Sequence, residues 1–89
     1  MSATTTKLTA VELSPCGLST NQGYKVGFIL SGAKSAQNDK WQVTNAIKVI
    51  WGTVTNDSAG THDSITISGN TITLTGATTG AASGIIVYI

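Results

Sequence analysis

The side chains of types suited to chemistry are few in this sequence, and most of them gather in one stretch. "NDSAGTHD", residues 56–63, sets His62 beside Asp63, with Asp57 five residues earlier. An imidazole among carboxylates is the raw material of acid–base catalysis or of a metal site. Zinc, however, takes three or four His, Cys or carboxylate ligands, and His62 is the single histidine of the chain. Asp and Asn among Ser and Gly serve more simply as turn formers. The stretch is therefore read as a turn-rich loop, and no metal site is expected.

Other routes to catalysis fare no better. Serine and threonine are plentiful, but a hydroxyl nucleophile needs a positioned base and an oxyanion site. No Gly-x-Ser-x-Gly elbow is present. The acidic residues are Glu12, Asp39, Asp57 and Asp63, too few and too scattered for a confident carboxylate pair. The glycines of "GATTGAASG" lead into a strand pattern with no lysine following, unlike a phosphate-cradling loop. Cys16 is the single cysteine; it has no internal disulfide partner and, after Pro15, reads as a small buried hydrophobe. The expectation is a protein that is not an enzyme and needs no cofactor.

Charge narrows the partners. Formal net charge is +1, and the basic residues are five scattered lysines with no arginine. Bidentate phosphate or base contacts are thus missing, and nucleic acid is not an expected partner. Charged residues are 10% of the chain against a usual share of about 25%, so Thr, Ser, Asn, Gly and Ala must build the surface. Hydrophobic residues at 40% are too many for a disordered chain. The start of the chain lacks the apolar core of a signal peptide, and no apolar run approaches the roughly 20 residues that span a bilayer. No membrane partner is expected. The reading is one domain over residues 1–89, with residues 1–6 a flexible arm.

The elements that would hold these side chains are strands. β-Branched Thr, Ile and Val dominate the periodic segments and favour pleated surfaces. Residues 7–13 read as a first strand. Residues 23–31 read as a second, with Tyr24, Val26, Phe28 and Leu30 on one face. "SGAKSAQNDK", residues 31–40, reads as a polar loop or one helical turn. Residues 41–55 read as a strand with Ile47, Val49, Trp51 and Thr53 in phase, and with Asn45 and Gly52 marking a bend or bulge. In "SITISGNTITL" the Gly69-Asn70 pair suits a two-residue hairpin turn. That turn would set Ile67 opposite Ile72, Ile65 opposite Leu74 and Thr66 opposite Thr73. Residues 75–83 read as a loop and residues 84–89 as the last strand. The fold class is all-β: a small β-sandwich or partly open barrel of about six antiparallel strands.

Two features suggest contact surfaces. The last strand is apolar on both alternating faces, which suits either a central strand or one that meets another subunit. In a domain this small the second reading is favoured, with Ile85, Ile86, Val87, Tyr88 and Ile89 as contact residues. Trp51, in phase with Ile47 and Val49, reads as core. Trp41, beside Asp39 and Lys40, reads as exposed and joins the contact set. An alternative use of Trp41, Trp51, Tyr24 and Tyr88 is a sugar-stacking platform, which would make the chain a small carbohydrate-binding module.

The segment "GTVTNDSAGTHDSITISGNTITLTGATTGAASGIIVYI" resembles the small β-rich proteins encoded beside the major capsid protein in tailed bacteriophages. The likeness lies in a Gly-Thr-Val-Thr strand, a Gly/Asn turn, an Ile-Thr-Leu-Thr strand and a Gly-Ala-Thr-Thr-Gly loop before an apolar strand. The first half of the chain has no counterpart in it. The resemblance implies a structural virion protein, foremost a head decoration or cement protein bound to the capsid lattice. Its partners would be the major capsid protein, copies of itself as a homo-oligomer, or both. Its place would be the virion, after synthesis in the host cytoplasm. A neck, tail or fibre component is the alternative within the particle. No catalytic residues come with the resemblance.

Overall fold

A computed structural model describes residues 6–19, 23–57 and 59–89, with backbone alone for 16–19, 30 and 31. Residues 1–5 of the expected arm, the side chain of Cys16 and that of Leu30 therefore lie outside the described residues. Among the described residues nine strands run in order: β1 (Leu8–Val11), β2 (Ser14–Ser19), β3 (Lys25–Lys34), β4 (Asp39–Val43), β5 (Val49–Asn56), β6 (Thr61–Asp63), β7 (Ile65–Ser68), β8 (Thr71–Leu74) and β9 (Gly80–Tyr88). They form a four-stranded sheet, β1-β4-β8-β7, and a five-stranded sheet, β2-β3-β9-β5-β6. The two sheets enclose one core, and neither closes into a barrel. Pairing is antiparallel except between β1 and β4, which run parallel. Among the described residues no helix is long and apolar enough to cross a membrane.

There are three strands more than the six or so expected: the 41–55 run splits into two, and β2 and β6 form where no strand was expected. The 41–55 run breaks at residues 44–48 into β4 and β5, which lie in different sheets. Asn45 marks that break. Its side-chain amide accepts from Leu13 N at 3.0 Å and donates to Leu13 O at 3.0 Å, so it pairs like a strand residue with the β1–β2 crossing. Residues 31–40 are largely strand rather than loop, since β3 continues to Lys34 and β4 begins at Asp39. At the opposite edge, Ser64 alone separates β6 from β7. Each side of the sandwich is thus bounded by chain passing directly from one sheet to the other.

The expected hairpin is present. Ile65 pairs with Leu74, Thr66 with Thr73 and Ile67 with Ile72. Gly69 has φ of 58°, as the first central position of a type II′ turn requires. The turn also serves the core end of the molecule: Val49 N donates to Gly69 O at 2.9 Å and Val43 N to Asn70 O at 2.8 Å.

The core draws on both sheets: Trp41, Val43, Ile72 and Leu74 from one, Ile29, Val49, Val54, Ala82, Ile86 and Tyr88 from the other, with Leu13 at the crossing. Trp41, expected on the surface, has no exposed area. Its ring lies against Gly32, where a Cβ would come within 2.6 Å of it. A register shift in β3 between Ile29 and Gly32 creates that space. Trp51, expected in the core, is 56% exposed. The cause is a bulge: Val49 pairs with Tyr88 and Trp51 with Val87, so Ile50 is extra and the alternation changes phase between Val49 and Trp51. Ile47, expected in the same phase, is also exposed.

The residues flanking Trp41 explain its burial. Asp39 is buried, but its carboxylate is fully engaged. Oδ2 accepts from Ser35 N at 2.7 Å, Ser35 Oγ at 3.0 Å and Ala36 N at 3.1 Å, while Oδ1 accepts from Lys7 N at 2.9 Å. One side chain thereby shapes the β3–β4 corner and ties down the chain entering β1. Burial pushes its pKa upward, and the four donors together outweigh that, leaving it below the ordinary 3.8.

Candidate functional site

β9 lies between β3 and β5, with backbone partners on both sides. It is the central strand of its sheet, so strand addition along it is excluded. Its side chains divide strictly. Ile86 and Tyr88 are core residues at 0% and 3% exposure, and with Trp41 they leave the set of contact residues that the sequence suggested. Ile85, 42% exposed, and Val87 point the other way, onto the outer face of the five-stranded sheet. Ile89 is part-buried and held by its backbone, donating to Lys48 O at 2.9 Å and accepting from Ile47 N at 2.6 Å.

Strand register arranges that outer face in three rows. Val26, Val87 and Trp51 make the first, and Phe28, Ile85 and Thr53 the second. Ser83, Thr55 and His62 make the third. The surface is therefore apolar at one end and hydroxyl-rich at the other. A shallow depression of about 360 Å³ lies on this face, bordered by Phe28, Thr53, Thr55, Ser83 and Ile85. No lysine or carboxylate belongs to the three rows. Asp57 sits at the polar rim, where Ser83 Oγ donates to it at 2.8 Å.

The His62–Asp63–Asp57 cluster does not assemble. His62 is exposed on the outer face, whereas Asp63, its neighbour in the strand, is buried on the inner one. Asp57 is taken up by Ser83. Among the described residues no group of three or more His, Cys, Asp or Glu side chains is placed to hold a metal ion.

Asp63 has a different partner, which the sequence reading missed. Its Oδ2 lies 2.7 Å from Lys34 Nζ, with both side chains almost wholly excluded from solvent. Oδ1 accepts from Gly76 N at 2.9 Å, and the ammonium also donates to Gly76 O. The 75–79 loop is clamped over this end of the sandwich by further bonds: Thr75 N to Ser64 O at 2.8 Å and Asn56 Nδ2 to Thr79 O at 3.0 Å. A Cβ at Gly76 would overlap the Asp63 carboxylate, which accounts for glycine there. Lys34 and Asp63 stand 29 residues apart, with no local pattern to connect them.

No family model, curated protein or solved structure matches this chain.

Proposed function

We propose that this chain is a structural assembly protein that works by burying the outer face of its five-stranded sheet against another subunit. The observation that carries the reading is the uncharged block of Val26, Phe28, Trp51, Ile85 and Val87 on one face of a sheet whose other face is already covered by the core. Scattered exposed apolar residues are ordinary; a contiguous set is the mark of a contact surface. Because β9 is central, the contact is face to face rather than strand to strand.

Within that class, the resemblance of residues 52–89 to capsid-associated phage proteins supports a head decoration or cement protein. Its partner would be the major capsid protein, neighbouring copies of itself, or both. A face with few charges suits a lattice where many copies crowd together without accumulating repulsion. Small contacts repeated over a shell hold strongly through avidity.

The test is labelling of intact phage particles with antibody to the chain, viewed by electron microscopy. Labels spread over the head support decoration. A single ring at the neck or label on the tail moves the protein elsewhere in the particle, and absence from the particles overturns the reading.

The exposed Trp51 beside Thr53, Thr55 and Ser83 favours one second reading, a glycan-binding face, since a ring platform next to hydroxyls is how sugars are held. Glycan-array binding that disappears in Trp51→Ala would support it over assembly.

A further inference from the structure

We propose that Lys34 and Asp63 are the two halves of an intramolecular isopeptide bond, formed by condensation of the lysine amine with the aspartate carboxyl. The amine nitrogen lies 2.7 Å from a carboxyl oxygen, and the two side chains are 0% and 2% exposed. Such a pair is held in attacking range by the fold itself, which replaces a bimolecular encounter with a permanent one. Attack requires the neutral amine, and the 2.7 Å contact gives one ammonium proton a direct path to Oδ2.

Gly76 orients both partners. Its carbonyl accepts from Nζ and its N–H donates to Asp63 Oδ1 at 2.9 Å. That N–H stands where negative charge develops when the nitrogen attacks Cγ, the role of an oxyanion donor. The Nζ–Cγ bond forms and the Cγ–Oδ2 bond breaks. Oδ2 departs as water, carrying the proton it received and a second one from nitrogen. Oδ1 remains as the amide oxygen on the Gly76 N–H. No oxidant, metal or further co-reactant is required. The product is neutral, so the desolvation burden of two buried ions is removed. The bond would join β3 to the edge strand β6 beneath the 75–79 loop, a cross-link suited to a protein with no internal disulfide.

Intact-mass spectrometry of the purified full chain, denatured after prolonged incubation in the folded state, tests this. The expected mass is lower than that of the sequence by one water, and a proteolytic digest should yield a branched peptide joining Lys34 to Asp63. Asp63→Asn should converge on the same final mass, because it loses ammonia where the native chain loses water. Lys34→Arg should keep its full mass. A native chain at full mass with both residues recovered in linear peptides overturns the proposal. So does water loss that persists in Lys34→Arg, which would place the dehydration within the backbone at Asp63.

Discussion

The two tryptophans separate burial from exposure within one small molecule. Trp41 fills the centre of the core, while Trp51 stands on the outer face at 56% exposure. Trp41→Ala should cost about 3–5 kcal/mol, and Trp51→Ala should stay within about 0.5–1 kcal/mol, both read from urea unfolding. A larger loss at Trp51 than at Trp41 would contradict the core assignment. Asp39 offers a second test. Its folded pKa lies below 3.8, so its ionised form contributes stability above that pH. The contribution fades as pH falls through 3.8 toward the folded value. Asp39→Asn keeps the shape but loses the charged acceptor and turns donors toward donors. It should therefore be less stable by about 1–3 kcal/mol at neutral pH, with the gap to the native chain narrowing in acid. Melting curves of both proteins from neutral pH to below 3 would show the convergence, and a constant gap would refute the role given to ionised Asp39.

At the scale of elements, glycines placed for close approach make the packing testable. Gly32 lies in the register shift of β3, with Trp41 filling the space that its missing side chain leaves. The ring is fully buried and has nowhere to move, so Gly32→Ala should destabilise by about 1–3 kcal/mol through overpacking. A neutral result in urea unfolding would mean that the ring can shift. This same irregularity shows where sequence reading reaches its limit. The β7–β8 hairpin was legible residue by residue, because its register depends on a local turn and a strict period of two. The placement of Trp51 was not, because one extra residue, Ile50, reverses the phase within the strand. Trp41 was assigned to the surface from its charged neighbours. Asp39 is in fact a buried turn clamp: Ser35 and Ala36 are local donors, four and three residues away, while Lys7 is brought to it only in three dimensions. For the same reason the Lys34–Asp63 pair left no trace in the spacing of residues, and the two-sided apolar run at 85–89, read whole as a contact strand, is a central strand whose Ile86 and Tyr88 face the core.

For the whole molecule, the decisive quantity is how the outer face is covered, and its chemistry dictates how that association responds to salt. Three rows of side chains without a lysine or a carboxylate leave little Coulomb energy for ions to screen. Burial of Val26, Phe28, Trp51, Ile85 and Val87 against a partner is instead driven by removal of apolar surface from water, about 25 cal/mol per Å² before the entropic cost of association. Self-association measured by analytical ultracentrifugation should therefore hold steady as sodium chloride rises, and should strengthen in sulfate, which enhances effective burial. The variant Trp51→Ser with Ile85→Thr, altered only at exposed positions, should melt close to the native temperature and yet sediment as a monomer. Association that weakens steeply with sodium chloride would move the contact to a lysine-bearing part of the surface. Association that survives the double variant would clear the outer face of any part in assembly.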